Sequence, residues 1–173
     1  MSGPAHPLDE RDGHGLAWFE DIEVGLSGVT ARRTVTEADI AAFSGISGNF
    51  DPLHTDDVSA IRSPYGRRIA QPGLVLAIAD GLVSPGRRWR VAGYVEISRR
   101  LRAPVFAGDT VRVRWRVESL GASRSMADAG LVRTIVTVVN QDEETVQDGT
   151  DQLLVSLRAT AGEPQRGEVD KSA

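Results

Sequence analysis

Gln71-Pro72-Gly73-Leu74-Val75-Leu76-Ala77-Ile78-Ala79-Asp80-Gly81-Leu82-Val83 is the stretch on which the fold of this chain turns. Leu74, Ile78 and Leu82 recur every four residues, while Val75, Leu76, Ala77 and Ala79 fill the other faces. A helix apolar nearly all round offers water no face and is expected to be buried. Pro72 suits its first position, where the missing N–H removes no helical bond. Asp80 is the exception and needs a partner or an interface edge. Downstream the pattern changes to period two. Val111, Val113, Trp115 and Val117 alternate with Arg112, Arg114, Arg116 and Glu118, which describes a strand with one wet face. Residues 131–140 and 145–157 read as further strands, joined by a hairpin turn at Gln141-Asp142-Glu143-Glu144. One buried helix beside several long antiparallel strands predicts an α+β domain.

Upstream, residues 18–24 form a short entry segment closed by Gly25, and residues 29–35 read as a first strand. Thr36 followed by Glu37, Ala38 and Asp39 starts a helix, with acidic residues in its favourable first turn and Ile40 and Phe43 on its buried face. A second short helix is expected from residue 52 to about 61, then a turn at Ser63-Pro64-Tyr65-Gly66. The ends, 1–15 and 161–173, are rich in Gly, Pro and charge and are expected to be a mobile leader and tail around one domain at 16–160.

At 173 residues, with 40% hydrophobic residues, the chain can bury one substantial core. A net charge of −4 leaves no nucleic-acid footprint. The absence of cysteine excludes disulfides, thiolate metal sites and a cysteine nucleophile. No apolar run reaches membrane-spanning length and the first 15 residues lack a signal-peptide layout, so a cytoplasmic protein without membrane contact is expected. No metal is expected: His6 and His14 stand far apart in the leader, and Asp56 and Asp57 lack companions.

The chemistry concentrates in Ser47-Gly48-Asn49-Phe50-Asp51-Pro52-Leu53-His54. Asp before Pro is a helix-start signal, since Asp caps free backbone N–H groups and Pro fits the next position. His54 then becomes the third residue of a helix, an imidazole on a short stiff lead-in and able to exchange protons near neutral pH. Packing against a helix start is the plainer use of such a histidine.

This stretch resembles the signature of the MaoC-like hydratases and dehydratases, the (R)-specific enoyl-thioester hydratases of the hot-dog fold. Their motif reads roughly Ser/Thr-Gly-Asp-x-Asn-Pro-hydrophobic-His. Ser47, Gly48, Pro52, Leu53 and His54 fit it, but Asn49 stands where the family has Asp, and Asp51 where it has Asn. The likeness continues through Gly66-Arg67-Arg68-Ile69-Ala70 and Leu101-Arg102-Ala103-Pro104-Val105-Phe106-Ala107-Gly108-Asp109, and spans about residues 18–158. It implies a central helix wrapped by an antiparallel sheet, a homodimer, and an acyl thioester of coenzyme A or an acyl carrier protein as substrate. No cofactor beyond that carrier is implied.

The resemblance also implies roles. His54 would share a water with a partner side chain, and the N-terminal end of the central helix would polarise the thioester carbonyl. Asn49 can orient a water but has no basic site near neutral pH. Asp51 therefore has two readings: a carboxylate that takes over the acid–base work, since side chains two apart in extended chain face the same way, or only a helix cap worth about 1 kcal/mol. Where the family often has Ala-His-Gly-Met, this chain has Ala70-Gln71-Pro72-Gly73. Pro72 has no N–H to give, which leaves Gly73 and Leu74 as donors, with Gln71 and Tyr65 near the substrate. Arg67, Arg68, Arg87, Arg88 and Arg90 are either phosphate contacts or solvated. The implied activity is hydration of 2-enoyl or dehydration of 3-hydroxyacyl thioesters. The altered pair leaves open thioester hydrolysis, a specialised biosynthetic dehydration, and a catalytically silent acyl-binding subunit.

Overall fold

In the computed structural model, residues 15–158 are described. The leader, except Gly15, and the tail lie outside them, as do His6 and His14. The chain enters through a 3-10 turn at Phe19–Asp21 and runs through β1 (Ser27–Val29), β2 (Arg33–Thr34), α1 (Glu37–Ser47), α2 (Pro52–Thr55), α3 (Asp57–Ala60) and α4 (Pro72–Arg87). Four long strands follow: β3 (Val91–Leu101), β4 (Thr110–Ala122), β5 (Ala129–Val139) and β6 (Thr145–Ser156). The sheet is antiparallel with order β1-β4-β5-β6-β3, and β2 also pairs with β4.

The strand expected at 29–35 is thus two pieces on one neighbour. Thr30 interrupts it: its backbone N–H donates to the Val113 carbonyl, and its hydroxyl accepts from the Val113 N–H in place of a backbone oxygen. The helix beginning after Thr36 opens with a capping box, in which Asp39 N–H donates to Thr36 Oγ1 and Thr36 N–H donates to Asp39 Oδ2. Those bonds hold the Asp39 carboxyl below the usual carboxylate range. The helix expected across 52–61 splits at Asp56. This residue ends α2 and caps α3, its carboxylate accepting from Val58 N–H at 2.9 Å and from Ser59 Oγ at 2.5 Å. A carboxylate that turns back on the next N–H groups starts a new turn instead of continuing the old one.

α4 presents Leu74, Val75, Ile78, Ala79 and Val83 to the sheet, where Val111, Val113, Trp115 and Val117 of β4, Val132, Val136 and Val138 of β5, and Leu153 and Val155 of β6 complete the core. Burial of α4 is one-sided. Ala77, Gly81 and Ser84 are exposed and Asp80 is half-buried, so within one chain the helix keeps an open face that its all-round apolarity does not suggest. Among the described residues β3 is a sheet edge, paired with β6 alone. It carries Tyr94, Val95 and Ile97 at 55%, 54% and 42% exposure, too much apolar surface for a strand whose partners end with this chain. Burial, and then the nearby carboxylate of Asp80, push the Tyr94 hydroxyl up from its ordinary value. No helix among the described residues is long and apolar enough to cross a membrane.

Candidate active site

Asp51 caps α2, and this decides where His54 goes. Leu53 N–H donates to Asp51 Oδ1 at 2.8 Å, and Pro52 opens the helix. One turn later the His54 ring is buried, at 6% exposure. Its Nδ1 lies 2.8 Å from the Ile69 carbonyl oxygen. A carbonyl only accepts, so Nδ1 carries the proton and Nε2 is left with the lone pair. The backbone reinforces this placement: Ile69 N–H donates to the Leu53 carbonyl, and Ala70 N–H to the Val105 carbonyl. Thus α2 is stapled to the segment that leads into α4.

Beside the imidazole lies a cavity of about 400 Å³. Its wall is mostly apolar, with Leu53, Ile69, Ala70, Pro72, Val75 and Val105 among its residues, and the polar side chains on it are His54, Tyr65, Arg102 and Gln147. A mostly apolar pocket with a few placed polar groups is the usual form of a small-molecule site. The cavity and one imidazole nitrogen in its wall permit addition or removal of a proton on a ligand seated there.

The residues singled out from the sequence distribute unevenly around this cavity. His54, Tyr65 and Pro72 line it. Asn49 and Asp51 are exposed and do not. Asn49 Oδ1 accepts from the Asp51 N–H at 3.1 Å, so the amide braces the turn while the carboxylate caps the helix. Gln71 is 1% exposed and faces α1, donating from Nε2 to Ser44 Oγ at 2.8 Å and to the Ile40 carbonyl at 3.2 Å. Gly73 leaves room for α1: a Cβ there would stand 3.1 Å from the Phe43 ring. Leu74 belongs to the core and its N–H donates to the Gln71 carbonyl. At the helix start Pro72 has no N–H, and the Gly73 N–H is the next in line.

The arginines diverge likewise. Arg67 stacks 3.8 Å above the Phe106 ring, Arg68 pairs with Glu37 and Asp57, and Arg90 lies over Trp18. Arg87 is buried against Asp151. Arg102, from the Leu101–Asp109 stretch, reaches the cavity wall while pairing with Asp148 at 2.9 Å. Gln147 was hidden from sequence reasoning: it sits mid-strand in β6 with no local motif, and only the sheet register brings it under Pro72. Its Nε2 donates to the Pro72 carbonyl at 3.0 Å, whereas its Oε1 is buried and has no partner among the described residues. Such an orphaned acceptor costs about 1–3 kcal/mol when nothing donates to it.

Comparison with known proteins bears on the family and the fold. The family model described as MaoC like domain matches residues 25–140. A 3-hydroxybutyryl-CoA dehydratase of Methylorubrum extorquens is 36% identical over 162 residues, covering 91% of this chain and 91% of that protein. An (R)-specific enoyl-CoA hydratase of Rhodospirillum rubrum is 33% identical over 136 residues, 76% of this chain and 91% of that one. Among solved structures, an Archaeoglobus protein described as a monoamine oxidase regulatory protein superposes with a TM-score of 0.78 at 31% identity, covering 83% of this chain and 97% of the other. A helix laid against one antiparallel sheet, a histidine after Asp-Pro and a family match over most of the described residues converge: the chain belongs to the MaoC-like hydratase and dehydratase family and has its hot-dog fold.

Proposed function

We propose that this protein hydrates 2-enoyl thioesters and, in the reverse direction, dehydrates 3-hydroxyacyl thioesters, with His54 as the group that exchanges the proton. The observation that carries this reading is the buried imidazole, its Nδ1 taken by the Ile69 carbonyl and its ring in the wall of an apolar cavity. Nε2 takes a proton from water as the water oxygen bonds to C3, and the imidazolium returns it to C2. The charge that gathers on the thioester oxygen needs a fixed donor, and the Gly73 N–H at the start of α4 is the one the helix has left. Both relatives' names point to coenzyme A as carrier, and that of the 3-hydroxybutyryl-CoA dehydratase to a short acyl chain. A cavity of about 400 Å³ has room for such a group.

The test is an assay of purified protein with crotonyl-CoA, following enoyl absorbance and free thiol together. Absorbance loss without thiol release is expected. Thiol release would replace hydration by hydrolysis, and inertness toward crotonyl-CoA and longer enoyl-CoA esters would leave a silent acyl-binding subunit.

The working unit is a homodimer, and the cytoplasm is its compartment. The dimer reading rests on the apolar edge strand β3 together with the open face of α4, where Ala77, Gly81 and half-buried Asp80 stand uncovered. Pairing β3 with its counterpart in a second copy removes that edge. Sedimentation equilibrium should give twice the chain mass, and a monomer at micromolar concentration would reject the dimer.

A further inference from the structure

The polar groups of the cavity wall include one that the hydration chemistry above does not use. Gln147 is 3% exposed and lines the same cavity as His54. Its amide nitrogen gives one N–H to the Pro72 carbonyl, which fixes the plane of the amide, and among the described residues the amide oxygen has no donor. Both polar side chains hang from one short piece of backbone: His54 from the Ile69 carbonyl at 2.8 Å, Gln147 from the Pro72 carbonyl at 3.0 Å. Two groups fixed to a single four-residue segment keep their mutual position, which is what action on one ligand requires. Meanwhile the side chain at the motif's usual acidic position, Asn49, is turned onto the Asp51 N–H outside the cavity. Beyond the imidazole, the side-chain acceptors on that wall are the Tyr65 hydroxyl, on a residue 43% exposed, and the amide oxygen of Gln147, which is buried and held by its own nitrogen.

We propose that Gln147 Oε1 accepts a hydrogen bond from the reacting oxygen: the incoming water during hydration, the 3-hydroxyl during dehydration. This rests on the hydratase reading. The amide transfers no proton. It fixes the oxygen while one O–H hydrogen passes to His54 Nε2, the oxygen bonds to C3, and the imidazolium supplies the hydrogen gained at C2.

The experiment is Gln147→Met, which keeps length and removes both polar atoms. Hydration kcat with crotonyl-CoA should fall about tenfold or more, and KM for 3-hydroxybutyryl-CoA in dehydration should rise about tenfold, the size of one lost hydrogen bond. The inhibition constant of butyryl-CoA, which has no oxygen at C3, should stay within about twofold. If butyryl-CoA weakens as much as the hydroxyacyl ester, Gln147 only supports the helix start and the assignment is overturned. Unchanged constants overturn it as well. Should thermal melting show that this variant does not fold, Gln147→Ala is read the same way. The unsubstituted protein gives a third reading: equal affinity for butyryl-CoA and 3-hydroxybutyryl-CoA overturns the proposal without any variant. Inertness of the unsubstituted protein rejects the hydratase reading and this inference with it, whereas an active protein indifferent to Gln147 rejects only the latter.

Discussion

His54→Gln should lower kcat/KM for crotonyl-CoA by about 10²–10⁴-fold, the contribution of a positioned general acid–base group. Glutamine is the informative replacement because its amide can still donate to the Ile69 carbonyl, the bond that holds α2 against the lead-in to α4. It has no nitrogen that takes a proton near neutral pH. Stability should therefore change little while turnover disappears. His54→Ala should lose the same activity with an added drop in melting temperature, since it removes a buried side chain and leaves that carbonyl without its donor. Asp51→Asn is the matched control. Asparagine caps a helix about as well as aspartate, so a residue that only accepts the Leu53 N–H should tolerate the change within about threefold in kcat/KM. Loss of turnover in a normally melting Asp51→Asn protein would move the proton transfer to the second carboxylate oxygen. Retained turnover in His54→Gln would remove His54 from the chemistry altogether.

What could be read from the chain beforehand follows a physical division. Signals that act over three or four residues were legible. The Thr36 and Asp39 box, the Asp51-Pro52 start and the alternation along β4 each describe a neighbourhood that the residues themselves create. His54 belongs with them, because a cap and a proline determine which turn it occupies. Contacts between distant segments were not legible. Nothing around Gln147 distinguishes it from any strand glutamine until β6 is laid beside β3 and β5 and its amide meets Pro72. The same holds for Arg102 at the cavity wall and for Gln71, which local reasoning aimed at a substrate and tertiary packing turned into α1. The apolar periodicity of α4 located the helix but not its surroundings. Composition says that a face prefers to be dry, and the surface that covers it can belong to another copy.

Asp151→Ala should destabilise the protein by about 3–5 kcal/mol, the usual consequence of removing one partner from a buried ionic cluster. Asp151 is 4% exposed and stands between two guanidinium groups: Arg87 at 2.9 Å from one carboxylate oxygen and Arg99 at 2.6 Å from the other. Arg87 also donates to Thr134 Oγ1 and lies near the rings of Trp89 and Trp115. Without the carboxylate, two cations remain in a site that water does not reach easily, and burial of an unpaired charge outweighs the modest attraction the pair contributed. The cluster also ties three elements together, since Arg87 ends α4, Arg99 belongs to the edge strand β3, and Asp151 sits on β6 between them. Its position at the last turn of α4 suits a cation on its own account. The loss should therefore appear locally before global melting, as faster amide exchange along β3 than along β4 and β5, together with a fall in melting temperature of roughly 10 °C. Asp151→Asn, which keeps the shape and one acceptor oxygen but not the charge, should show a smaller fall in the same direction. If Asp151→Ala melts within about 2 °C of the unsubstituted protein, the two arginines have found water, and β3 is held by its backbone ladder to β6 alone.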